Sequence, residues 1–164
     1  EQYKKMYPDV HPQFLFMTDG YNFRSMELNA VLGISQLKNL DSAIHRRRQV
    51  YDKFLNLISQ YDNLFLKPSE EGNSSFCLPF VCVSREHRIQ LEAILNHHGV
   101  ETRPLCSGNL LRQPFLENYS LDIDWTPNVD FLHDNGFFIG NNHMVTDEEI
   151  YKLETIIHEF ARLL

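Results

Sequence analysis

The chain has 164 residues, 43% of them hydrophobic, with twelve Phe and seven Tyr, enough for one domain with a real core and an attached arm. Its 22 acidic against 15 basic residues give a formal charge of -7, which argues against a nucleic-acid groove and against attraction to anionic lipid. No stretch approaches the roughly 20 apolar residues that span a bilayer. The start at Glu1-Gln2-Tyr3-Lys4-Lys5 carries neither an apolar signal segment nor an initiator Met. The expectation is therefore a cytoplasmic chain, and a piece of something longer is allowed.

Residues 1–24, with Pro8, Pro12, Gly20 and scattered aromatics, read as an extended arm. From Ser25 the pattern turns helical. Leu37, Leu40, Ile44, Tyr51, Phe54, Ile58 and Tyr61 mark one face in steps of three and four, apart from the gap at Arg47. No proline interrupts 25–61, which predicts one long linking helix of roughly 50 Å at about 1.5 Å per residue. A domain of this size cannot bury such a helix along its whole length, so it should bridge to another domain or subunit. A break near Leu40-Asp41 is the alternative.

Residues 62–164 read as a small α+β domain. Asn63 to Lys67 is a short strand candidate closed by Pro68. Ser75 to Val83 is an almost wholly apolar strand, in which Pro79 requires an unpaired side or a bulge. Ser84 caps a helix with Ile89, Leu91, Ile94 and Leu95 inward, stopped by Gly99. Val100 to Leu105 returns as a strand, giving a β-α-β unit. Residues 106–127 are irregular and long enough to suggest a task. Thr126-Pro127 opens a short helix ending near Asn135-Gly136, and Gly136 to Ile139 is a brief apolar strand. Thr146 with Glu149 forms a capping box for a final helix, with Ile150, Leu153, Ile157, Phe160 and Ala161 inward.

Chemistry is sparse. Cys77, Cys82 and Cys106 are odd in number and lack metal-ligand spacing, and Cys77 and Cys82, in an apolar run, read as buried free thiols. The adjacent His97-His98 point in different directions on a helix end and cannot easily share a metal. Arg46-Arg47-Arg48 reads as a solvated or intersubunit face, with Arg47 on the apolar stripe and so in need of a partner. Nothing implies a nucleophilic triad. Two stretches stand out. In Gly20-Tyr21-Asn22-Phe23-Arg24, Asn22 can donate and accept while Arg24 can grip a carboxylate or phosphate; the plainer reading is a turn satisfied by Asn22. In the second, Arg103 at a strand end precedes a loop with Asn109, Arg112 and Gln113, a plausible site for a polar anionic ligand. A purely structural ion pair for Arg103 is the competing reading.

At these two stretches the sequence resembles the DegT/DnrJ/EryC1/StrS sugar aminotransferase family. GYNFRSMELNAVLGISQLKNLD (20–41) is similar to its signature, and RRRQVYDKF, GVETRPL and VTDEEI follow in the family's order. The GNLLRQP segment leans toward the branch that includes the CDP-4-keto-6-deoxyglucose 3-dehydrase. The resemblance implies the C-terminal small domain of a fold-type I (aspartate aminotransferase-like) enzyme with a long linking helix, acting as a homodimer with pyridoxal 5'-phosphate. It implies that Asn22 reaches across the dimer to the cofactor phosphate, that Arg24 supports that loop or touches substrate, and that Arg103, Asn109 and Arg112 lie near a nucleotide-linked keto sugar. At position 26, Met stands where relatives have Ser or Thr, which shifts the expected helix cap to Ser25.

The groups that hold the cofactor ring in this family, the Schiff-base lysine or the histidine that replaces it in dehydrases, would precede the signature, and Lys4 and Lys5 are too close to it to serve. The expected function is thus the C-terminal portion of a nucleotide-sugar aminotransferase acting on a 4-keto-6-deoxy sugar for surface polysaccharide. A 3-dehydrase and a stand-alone binding or dimerisation domain are the alternatives. No residue of this chain is expected to be catalytic, and no metal is expected. Adding pyridoxal phosphate to the purified chain should give no stoichiometric absorbance band of a lysine-bound cofactor; a stable band would overturn this expectation.

Overall fold

In the computed structural model the described residues are Lys5, 24–69, 72–105, 108–109, 111 and 126–164. Most of the arm, including Asn22, and most of 106–125, including Arg112, lie outside them. The chain divides into two compact units, Glu1–Lys38 and Asn39–Leu164.

In the first unit, Glu27–Leu37 forms helix α1. It ends two residues before α2, Leu40–Ile58, so the single helix expected over 25–61 is interrupted at Lys38-Asn39, just ahead of the alternative break at Leu40-Asp41. Asn39 has φ -105 and ψ 0, off the helical values, and its carbonyl accepts from the Ala43 N–H and the Ser42 hydroxyl, so α2 starts afresh. The N-cap of α1 is Met26 rather than Ser25, and no side chain caps its free N–H groups. Leu28, Val31, Leu32, Ile34 and Leu37 are exposed, and α1 buries none of its residues.

The second unit is built on a three-stranded antiparallel sheet. Its strands are β1 (Cys77–Val81), β2 (Arg103–Pro104) and β3 (Gly136–Gly140), ordered β1-β3-β2. Helix α3 (Arg85–His97) joins β1 to β2, but the last strand is inserted between them, so the expected β-α-β unit is split. Proline is tolerated at Pro79 because β1 is an edge strand, and the register runs unbroken through Pro79↔Phe138. Asn63 to Lys67 contributes a single bridge, Phe65↔Cys82, instead of a strand.

Period-two alternation puts Leu78 and Phe80 of β1 and Phe137 and Ile139 of β3 on one face, where they are buried. Phe80 and Phe137 sit opposite each other and stack, with centroids 4.9 Å apart and 9° between planes; Phe54 of α2 meets Phe80 edge-on at 4.9 Å. Val50, Tyr51, Phe54, Leu57 and Ile58 of α2 and Leu91 and Leu95 of α3 complete this side. Helix α5 (Asp147–Arg162) adds Ile150, Leu153, Ile156, Ile157 and Phe160, close to the stripe expected from sequence. Ile89 departs from expectation: it is 56% exposed, because a residue two positions from Leu91 lies on the far side of the helix. On the other sheet face Phe76 packs on Phe138 and stays largely exposed.

Polar ties fix the helix ends. The Ser84 hydroxyl accepts from the His87 N–H at 3.2 Å, and α3 ends at Gly99, whose φ of +77 suits glycine. Arg46 donates to the Val145 carbonyl and to Asp147, which also accepts from Lys53 at 3.0 Å. The Lys53 and Arg46 hydrogen bonds hold the Asp147 carboxyl below the usual carboxylate range. Asn141, fully buried, donates to the carbonyls of Arg47 and Ser75. The Nε of Arg47 is buried and has no hydrogen-bond partner. At α5 the capping box is complete, with Glu149 N–H donating to the Thr146 hydroxyl at 3.2 Å and Thr146 N–H to the Glu149 carboxylate at 2.8 Å. Thr146→Ala should therefore cost about 1 kcal/mol of stability, read as a lower urea midpoint with unchanged slope.

Candidate functional site

The sequence singles out five residues, and three of them are described. Arg24, two residues ahead of the α1 N-cap, is exposed and makes no hydrogen bond or ion pair with another described residue. It stands near an uncapped helix N-terminus, a setting that favours an anion, although Glu27 in the first turn offsets part of that preference. Arg103 lies on β2, paired with Phe138, and its Nε and Nη2 both donate to one carboxylate oxygen of Glu101, at 3.0 and 2.7 Å. Both side chains are exposed, so this pair contributes little to stability, and Nη1 makes no hydrogen bond with another described residue.

Asn109 differs. It is 4% exposed, and its carboxamide is occupied within the fold: Nδ2 donates to Asp130 at 2.9 Å and to the Thr126 hydroxyl at 3.2 Å, while Oδ1 accepts from the Leu111 N–H at 2.9 Å. Its backbone N–H donates to His133 Nδ1 at 2.9 Å. The preceding Gly108 has φ +75, its N–H closes a turn on the Leu105 carbonyl at 2.6 Å, and a Cβ there would overlap the His133 ring. Arg103 and Asn109 belong to one stretch of chain but are engaged by different hydrogen-bond partners.

Thr126, Asp130 and His133 belong to the start and body of α4 (Pro127–Asn135). Sequence reading placed Thr126 as a cap and missed the other two. Thr126 makes no cap bond, and its hydroxyl serves Asn109 instead. The one available signal was the repeat of Thr, Asp and His at helical spacing, 126, 130 and 133, which puts three polar groups on one face. Arg88 of α3 donates to the His133 and Asp134 carbonyls at 2.8 and 3.2 Å, and is itself paired with Glu92 at 3.0 Å.

Elsewhere in this unit, a cleft of about 500 Å³ has a floor that includes Phe54, Leu78, Ile139 and Leu153. Its two lysines each donate a hydrogen bond, Lys53 to Asp147 and Lys152 to the His98 carbonyl at 2.7 Å. Burial pushes the Cys82 thiol up to about 12, which removes it as a nucleophile. No group of three or more His, Cys, Asp or Glu among the described residues could hold a metal ion, and no helix among them is long and apolar enough to cross a membrane. For pyridoxal phosphate, the described residues fit the anionic end: an exposed guanidinium stands by a helix N-terminus that no side chain caps.

Comparison with known proteins places this architecture. The model of the DegT/DnrJ/EryC1/StrS aminotransferase family matches residues 3–158. GDP-4-keto-6-deoxy-D-mannose 3-dehydratase of Escherichia coli O55:H7 is 32% identical over 151 residues, covering 88% of this chain and 38% of that protein. A solved structure of the E. coli GDP-4-keto-6-deoxy-D-mannose-3-dehydratase with bound hydrated PLP is 31% identical with a TM-score of 0.71, over 88% of this chain and 38% of that one. The aminotransferase from Psychrobacter cryohalolentis has the same fold at a TM-score of 0.74, covering 98% of this chain and 46% of that one, with 21% identity. The chain thus spans less than half the length of the relatives it matches, and its α+β architecture is that of the small domain of fold-type I enzymes. Gly108→Ala should displace the His133 ring and cost about 1–2 kcal/mol through the left-handed backbone alone. A lower urea midpoint and a shifted Asn109 amide resonance are the expected readouts.

Proposed function

Since this chain belongs to the DegT/DnrJ/EryC1/StrS family, we propose that it is the C-terminal part of a pyridoxal phosphate-dependent 3-dehydratase acting on a GDP-linked 4-keto-6-deoxy sugar. The observation that carries this reading is the higher identity to a dehydratase than to an aminotransferase of equal fold similarity. It moves the weight from the amino transfer favoured by sequence to its alternative, loss of the C3 hydroxyl. The GDP-linked sugar, in place of the CDP-linked one of the branch that the GNLLRQP segment resembles, follows the substrate named for the dehydratase at 32% identity.

In this reading Asn22 and Arg24 face the cofactor phosphate, where the open α1 N-terminus adds favourable dipole. Pyridoxal phosphate, when bound, supplies an electron sink for carbanion chemistry on the sugar. The contribution of this chain is binding and orientation: Arg103 shapes the entrance with its Nη1, and Arg112 and the turn at Asn109 border the nucleotide sugar. The exposed apolar side chains of α1 offer a packing surface for the rest of a longer protein or a second copy, in keeping with a homodimer. Acidic net charge agrees with partners other than nucleic acid.

The test is product analysis with protein expressed from the complete coding sequence. Supplied with pyridoxal phosphate, glutamate and GDP-4-keto-6-deoxymannose, it should yield a sugar with a methylene at C3 by NMR. Accumulation of a 4-amino sugar that keeps its C3 hydroxyl would overturn dehydration in favour of amino transfer.

A further inference from the structure

We propose that His133 and Asp130 of α4 are positioning residues that latch the Gly108–Asn109 turn, and that Asn109 holds this turn in place without touching the sugar through its carboxamide N–H groups. The proposal deepens the nucleotide-sugar reading above and rests on it for the identity of the ligand.

A carboxamide has two N–H donors, and both of those on Asn109 are directed inward, to Asp130 at 2.9 Å and Thr126 at 3.2 Å. Its oxygen already accepts from Leu111. The side chain is 4% exposed, so it presents no donor to a ligand. The turn is fixed from the backbone as well. His133 Nδ1 accepts from the Asn109 N–H at 2.9 Å, which places the ring proton on Nε2, and the ring fills the space a Cβ at position 108 would need. Glycine with φ +75 lets the backbone lie against that ring.

The latch is anchored behind. The His133 carbonyl accepts from Arg88, which Glu92 holds in place from the next turn of α3, so α4 cannot slide without breaking an Arg88 bond. Two helices therefore set one turn, with three side chains of α4 and its N-cap gripping Asn109 from two directions. A loop that only connected β2 to α4 would not need four hydrogen bonds at a single residue.

The test uses the 164-residue chain with His133→Leu, His133→Asn and Asp130→Ala. Asparagine offers Oδ1 where Nδ1 stood, and leucine offers no acceptor. Two-dimensional NMR should report the wild-type His133 with Nε2 protonated and slow exchange at the Asn109 and Leu111 amides. His133→Leu should speed Asn109 exchange about tenfold, as the loss of one hydrogen bond allows. The Val100 amide, bonded to Leu95, should be unchanged. His133→Asn should stay within about threefold of wild type, and GDP-mannose binding should weaken about fivefold in His133→Leu but not in His133→Asn. If the leucine variant does not fold, Asp130→Ala gives the same reading through loss of Leu111 protection. Unchanged exchange, failure of asparagine to rescue, or faster exchange with unaltered GDP-mannose affinity would each overturn the latch as a positioning device. Failure of wild type to bind GDP-mannose at all, with the exchange pattern and the rescue by His133→Asn intact, overturns the nucleotide-sugar reading and supports the latch.

Discussion

The central place of β3 is the constraint on which the second unit depends. Five residues, Gly136 to Gly140, supply both hydrogen-bonded edges, one to β1 and one to β2, so neither outer strand has another named strand to pair with. The chain enters β3 straight from the last residue of α4, and leaves it into Asn141. Asn141 then ties the Arg47 carbonyl in α2 to the Ser75 carbonyl ahead of β1. A helix before the strand, a helix bound after it and both neighbouring strands are thus located by one segment. Its inward side chains, Phe137 and Ile139, carry the packing that makes this arrangement worth forming.

The polar ties around the sheet select among packings that the apolar core alone would tolerate. Arg46 and Lys53 meet Asp147 at the surface, where screening keeps the gain in stability small, yet they fix where α5 starts relative to α2. Arg88 works on backbone carbonyls and so holds the end of α4 whatever its side chains are. The Tyr61 hydroxyl meets His158 Nδ1 and joins the end of α2 to α5 in the same way. Each tie joins residues far apart in sequence, and each sits at a helix end, where unpaired backbone groups gather.

For function, the consequence is that the Asn109 turn is set by the sheet through α4. In the proposed reading, a nucleotide sugar meets a surface already in place, and the orientation it needs does not have to be formed on binding. The chain would then hold and orient one side of a shared site while the bond chemistry belongs to groups outside it. The exposed α1, all of its large apolar residues uncovered, is consistent with a unit made to pack on something else.

Periodicity and caps were legible in the sequence because they are local. The Ser84 cap, the Gly99 stop, the Thr126-Pro127 start and the Thr146–Glu149 box each involve residues within four positions, and each marks the element end read from it. The signature at 20–41 was legible for another reason, as a family pattern confirmed by the match over 3–158. Tertiary structure alone decided the rest. Whether β2 pairs with β1 or with a strand thirty residues later depends on which apolar faces fit together, and no local spacing encodes it. The break at Lys38-Asn39 carries no proline or glycine to announce it. Asn109 read as a ligand-facing polar residue on a loop, and became a buried, fully engaged one because Asp130, Thr126 and His133 converge on it from a helix whose N-cap lies seventeen positions later. A polar side chain has the same formula whether it faces water or the core, and only the fold determines which hydrogen-bond partners reach it.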